Sequence, residues 1–219
     1  TADEVFFYGV NSKSEYLITR IARGTNQEAE AWIYLKLSNG KIYQLPETSG
    51  FQQSSSDKRT FSCGGLQIHY LSPMRRWRIF FNGLLNETSE DGESAEKKVH
   101  VKFALLWRAS TDPFDFRTHV SSKTLTTSLA KAKWNQYTPP IERLFKALDL
   151  YTQCGIIMGT VSIDASEEVD LYLFGERKRF MGNIPSLEGA ESCHIFGHIP
   201  KNGRFVHFIQ VSVPNIVEK

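Results

Sequence analysis

The stretch AWIYLKLSNGKIYQL, residues 31–45, decides the fold class. Two β-rich runs, Ala31 to Leu37 and Lys41 to Leu45, flank Asn39-Gly40. Both turn residues tolerate the positive φ of a type I′ turn, so the stretch predicts a β-hairpin. Working outward, period-two alternation dominates the chain. Val5 to Val10 and Glu15 to Ala22 form a first strand pair around the polar turn Asn11-Ser12-Lys13-Ser14. Residues 46–60, rich in Ser with Pro and Gly, read as a loop. Leu66 to Leu71 and Trp77 to Phe81 follow, separated at Ser72-Pro73, because proline removes a ladder donor. Trp77, Ile79 and Phe81 share one strand face. Asn86 to Lys98 reads as an exposed acidic connection. Val99, Val101, Phe103, Leu105 and Trp107 then share a face opposite His100, Lys102, Ala104, Leu106 and Arg108, the later residues being buried on both sides.

The pattern changes near Asp112. Thr124 to Lys133 is helix-compatible. Pro139-Pro140 suits a helix entry, and Ile141, Leu144, Phe145, Leu148 and Tyr151 repeat at helical spacing over 140–151. Alternation returns after Cys154-Gly155 in Ile156–Ile163, Val169–Phe174, His194–Ile199 and Phe205–Val213. The expected organisation is a β part (1–110), a helical connection (111–152) and a second β part (153–219) that completes the first sheet or opens a truncated second half. The fold class is mainly β, an antiparallel barrel or open barrel with one or two connecting helices.

Several function classes lose support. With 26 basic and 24 acidic residues, net +2, the chain lacks the basic excess of nucleic-acid binders. Lys58-Arg59, Arg75-Arg76-Trp77-Arg78 and Arg177-Lys178-Arg179 read as solvated faces. No apolar run reaches the ~18 residues of a membrane span. GxxxxGK[ST], GxGxxG and GxSxG are absent, and Gly64-Gly65, Gly155 and Gly159 read as bulges or turns. His194 and His198 have helical ligand spacing but lie in a strand, ~13 Å apart, too far for one metal ion. Cys193 and His194 point to opposite faces there. Glu167, Glu168 and Asp170 suit a solvated hairpin tip. Cys63, Cys154 and Cys193 are too few for a disulfide scaffold, and one bridge stays open. The sequon Asn86-Glu87-Thr88 leans toward a secreted protein. Strand edges of the second β part leave room for a homo-oligomer.

The remaining signal is aromatic: fifteen Phe, eight Tyr and four Trp. Trp32 and Tyr34, Trp77, Ile79 and Phe81, and Phe103 and Trp107 would line an apolar cavity if their faces point into a barrel. The alternative is a core filled by the same side chains. His69, Arg76 and Arg78 lie beside these strands as polar groups to orient a ligand.

Trp32-Ile-Tyr-Leu-Lys-Leu37, Phe61-Ser-Cys-Gly-Gly-Leu-Gln67 and Leu71-Ser-Pro-Met-Arg-Arg-Trp-Arg-Ile-Phe-Phe-Asn-Gly83, with Gly175-Glu-Arg-Lys-Arg179, carry a resemblance. Together they resemble the N-terminal portion of animal proteins often labelled phosphoenolpyruvate synthase-like. That portion is in turn similar to the two-part lipocalin-like fold of carotenoid hydratases. Gly175, Arg177 and Gly182 resemble the opening of the second half, with Phe180-Met181 where that group often has Trp. No residue matches the phosphotransfer histidine motif or an ATP-grasp segment. The resemblance implies a lipocalin-like barrel and a non-catalytic carrier of an apolar small molecule, a carotenoid first, without metal or nucleotide. An enzyme on polyene or terpenoid substrates, or a non-catalytic phosphotransferase module, are its alternatives.

Overall fold

The computed structural model describes residues 2–24, 28–46, 51–53, 59–88, 97–133, 149–182 and 191–212. Its elements are β1 (Ala2–Val10), β2 (Tyr16–Arg23), β3 (Glu28–Lys36), β4 (Ile42–Gln44), β5 (Phe51–Gln53), β6 (Thr60–Cys63), β7 (Leu66–Ser72), β8 (Arg76–Thr88), β9 (Lys97–Ala109) and β10 (Phe114–Asp115). These are followed by α1 (Phe116–His119), α2 (Ser122–Lys131), β11 (Asp149–Ile163), β12 (Val169–Gly182), β13 (Glu191–Ile199) and β14 (Arg204–Ser212).

The chain divides into two units. The larger, residues 3–113 and 152–179, is a closed antiparallel barrel of eight strands in the order β1-β2-β3-β4-β8-β9-β11-β12 and back to β1. β8 carries two partners on one edge, β7 along Leu66–Ser72 and β4 along Ile42–Gln44. β3 likewise pairs β4 at Tyr34–Lys36 and β5 at Glu28–Glu30. The short β4 thus closes the wall at one end, while β5 and the β6–β7 hairpin occupy the edges left at the other. The second β part therefore contributes β11 and β12 to the first sheet, completing it.

The hairpin predicted at Asn39-Gly40 forms, with a different turn. Only Gly40 has positive φ, at 77°, while its N–H donates to the Leu37 carbonyl at 3.0 Å and the Leu37 N–H to Lys41 at 3.3 Å. This is a three-residue loop ending in a left-handed glycine, not a type I′ turn. The loop expected over 46–60 contains β5 and the start of β6. The exposed connection expected over 86–98 is shorter, because β8 runs through Thr88 and β9 begins at Lys97. The sequon at Asn86 consequently sits in a strand, opposite Gln44 and Lys98.

Alternation sorts the barrel wall. Phe7, Leu17, Ile33, Phe61, Ile79, Phe81 and Trp107 have no exposed area, and Phe103 has 1 %. A side chain that a water-sized sphere cannot reach borders no void able to hold water. The barrel is therefore filled at these positions. The Phe7 ring sits edge-on to both Trp77 and Trp107, with centroids at 5.8 and 5.7 Å, and Phe81 meets Phe103 at 5.4 Å. Opposite them Ala104 and Arg108 are exposed and Leu106 half-buried, so the end of β9 is buried on one face only.

The smaller unit, residues 1–2, 114–151 and 180–219, is described by itself. Helix α2 falls where Thr124–Lys133 predicts one. Of the helix expected over 140–151, residues up to 148 lie outside the described residues, and Asp149–Tyr151 begin β11 instead. β13 and β14 form a separate two-stranded ribbon. Ile195, Val206 and Phe208 are exposed on one of its faces, and on the other His194 meets His207 across the ribbon at 3.3 Å. Among the described residues no three His, Cys, Asp or Glu side chains gather as a metal site. Among the same described residues no helix is long and apolar enough to cross a membrane.

Candidate functional site

Because barrel neighbours run antiparallel, the starts of β1, β8 and β11 meet the ends of β2, β9 and β12 at one end. The sequence places arginines at those termini: Arg23, Arg75, Arg76, Arg108, Arg177 and Arg179. Strand parity then decides which enter. In β12, Leu171 and Leu173 are buried inward, and the same parity carries Gly175, Arg177 and Arg179 inside while Lys178 faces out.

Arg177 is wholly buried. Its guanidinium carbon lies 5.0 Å from the Trp77 ring and 5.2 Å from Trp107. Its Nη2 donates to Gln153 Oε1 at 3.0 Å and to Met74 Sδ at 3.3 Å. Gln153 Nε2 donates in turn to the carbonyls of Met74 (3.0 Å) and Thr111 (2.7 Å). One carboxamide thus ties the interior cation to the β7–β8 turn and to the segment after β9. Nearby, Asp3 bridges two guanidiniums, Arg23 and Arg179, each at 2.6 Å, and both stack on Phe61.

Above Gln153 lies a recess of about 750 Å³, within the range of small-molecule sites. Arg75, Arg76 and Arg108 line it, and Asp112 is the single carboxylate of its lining. Among the described residues the side chains of Arg75, Arg76 and Arg108 make no ion pair or hydrogen bond. Arg76 and Arg108 are direct cross-strand partners, an arrangement that repels unless an anion lies between.

The aromatic set splits. Trp77, Ile79 and Phe81 share one face and Phe103 and Trp107 another, as their alternation predicts, and both faces are the buried, inward ones. Trp32 and Tyr34 do not join them: on β3 the inward parity belongs to Ala31, Ile33 and Leu35, so both rings face out. There Arg20 stacks on Trp32 at 4.2 Å, held by Glu4 and Glu30 at 2.8 Å each. His69 also faces out, its Nδ1 2.8 Å from Thr60 Oγ1. Of the polar candidates Arg76 reaches the recess, whereas Arg78 is exposed on the outer wall. Arg177 and Gln153 escape a reading of basic runs as solvated faces. Extending the inward parity from Leu171 and Leu173 finds Arg177.

One cluster on the outer wall has the look of reactive chemistry. Tyr8 Oη donates to Glu176 Oε2 at 2.8 Å, with Cys154 close by. Burial, then the Glu176 carboxylate, holds the phenol well above its usual range. The same two causes push the Cys154 thiol up to about 12 from 9.0, so it stays protonated and unreactive at neutral pH. The folded state holds this proton more tightly, so the contribution to stability is complete below about pH 9 and is lost as pH rises toward 12. The cysteines are all free. In alkylation followed by mass spectrometry at pH 8, exposed Cys193 is modified first and Cys154 lags. Cys63, buried with its thiol donating to the Ala29 carbonyl, reacts only on unfolding. Equal rates for Cys154 and Cys193 would refute this reading of the outer wall.

No curated protein and no solved structure matches the chain. A family of unknown function, DUF8627, matches residues 1–214, and the chain belongs to that family.

Proposed function

We propose that this chain is a non-catalytic binding protein that holds an acidic small molecule at one end of its barrel. The observation that carries the reading is that three arginines, Arg75, Arg76 and Arg108, line one recess and make no ion pair among the described residues. A carboxylate or phosphate accepts paired N–H bonds from such groups, and each charge-assisted bond is worth about 1.5–3 kcal/mol. Arg177 behind Gln153 adds a cation that the solvent does not screen. Pyrophosphate and dodecanoate, titrated calorimetrically, test the two head-group chemistries. At least one binds saturably, and the double variant Arg76→Gln/Arg108→Gln weakens it roughly a hundredfold. The reading fails if neither binds, or if the variant binds as the parent does.

The inward aromatic wall of Trp77, Phe81, Phe103 and Trp107 favours a second reading, the carotenoid carrier that the resemblance implies. It requires these rings to move aside, since all four are buried and Phe81 and Trp107 have no exposed area. Protein purified from its native source and extracted with organic solvent decides it. A visible absorbance band that collapses on extraction, with a polyene in the solvent, supports the carrier, and a colourless preparation removes it.

A further inference from the structure

The turn between β7 and β8 departs twice from regular geometry. The β7–β8 register shifts between Tyr70 and Ser72, so Leu71 is bulged out of the ladder, and its side chain is 44 % exposed. Bulges re-aim side chains, often beside functional sites. In the tight turn that follows, the Arg75 N–H donates to the Ser72 carbonyl at 3.1 Å. Its third residue, Met74, has a φ of 57° and is 42 % exposed. With proline second, that position ordinarily takes glycine, because a side chain there is strained. The Met74 sulfur is turned back onto Arg177, so the apolar groups that this tip offers outward are the bulged Leu71 and the exposed Pro73.

The charge around the tip has one sign. Arg75, Arg76 and Arg78 follow it in the chain, Arg108 lies across from Arg76, and all four are exposed. None makes an ion pair or a side-chain hydrogen bond among the described residues. Asp112 is the acidic residue of the adjoining recess. Apolar side chains at a tip ringed by unpaired cations are complementary to a bilayer interface carrying negative head groups. The apolar groups enter the acyl boundary and the cations meet the surface charge.

We propose that this tip docks the barrel on an anionic lipid surface, with Leu71 and Pro73 dipping in and Arg75, Arg76, Arg78 and Arg108 facing the head groups. The recess would then open toward the membrane, the source of its acidic ligand. The proposal shares three of its arginines with the binding reading above, while Leu71 belongs to the docking alone.

Flotation with vesicles of phosphatidylcholine, with and without phosphatidylserine, tests it. The protein floats with the phosphatidylserine vesicles only, and salt releases it. Arg78→Gln, which leaves the recess lining intact, weakens the partition about fivefold. Leu71→Ser weakens it by about tenfold, yet leaves the calorimetric titration of pyrophosphate and dodecanoate and the thermal melt unchanged. Docking is overturned if both vesicle types bind alike or neither binds, or if Leu71→Ser floats as the parent does. It is equally overturned if a single-stranded DNA oligonucleotide competes the protein off the vesicles, which would assign the arginines to nucleic acid. If neither pyrophosphate nor dodecanoate binds while the protein still floats with the phosphatidylserine vesicles, the recess reading sinks and the tip stands.

Discussion

Trp107→Ala lowers the unfolding free energy by about 3–5 kcal/mol, whereas Trp32→Ala costs about 1 kcal/mol or less. The two residues have the same side chain and both sit in barrel strands, so the contrast isolates which way each one points. Trp107 has no exposed area, packs edge-on against Phe7 and lies under the Arg177 guanidinium. Removing it forfeits the transfer energy of the indole and leaves a hole in a wall whose neighbours are already fixed. Trp32 is 43 % exposed and gives up one bond to Glu30 and one stacked arginine at the surface. Urea denaturation with tryptophan emission measures both. A Trp107→Ala loss no larger than that of Trp32→Ala would mean the interior is open rather than filled. That outcome would move the polyene carrier ahead of the recess reading.

The barrel was legible in the sequence because period-two alternation is strong wherever one face is buried. Trp77-Ile79-Phe81 and the Val99–Trp107 face read correctly from it. Parity within a strand, however, does not say which parity faces in. On β3 both sets are apolar, Ala31, Ile33 and Leu35 against Trp32 and Tyr34, and ring size favours the wrong set. The true interior takes the smaller side chains there, Ala31, Ile33 and Leu35, in one core with Trp77 and Trp107. Closure was not readable either. It depends on β11 pairing with β9 and β12 with β1, contacts that span much of the chain and leave no local mark. The candidate site shares that cause. Its arginines are dispersed from Arg75 to Arg177 and become one ring only when antiparallel termini converge, so short basic runs look like solvated faces until the order of strands is known.

Gly159→Ala destabilises the barrel by about 3–4 kcal/mol, because two costs add at one residue. The β11–β9 pairing sets Gly159 against Leu105. Its φ is +152°, where a side chain is strained, and a Cβ there would collide with the Ala104 carbonyl oxygen and the Leu105 Cα. These are backbone atoms of the neighbouring strand, so no rotamer change relieves the clash and the β9–β11 seam must widen. The seam lies in the wall that carries Trp107 and Leu105, so widening also loosens the filled core. Gly197→Ala in the β13–β14 ribbon is the control, with nothing within 4 Å of the added carbon. It changes stability by less than about 0.5 kcal/mol. Thermal and urea unfolding of the two variants measure the difference. If Gly159→Ala unfolds like the parent, the strands at that seam are not held as close as the closed barrel requires, and the inward placement of Arg177, which depends on closure through β11 and β12, loses its basis.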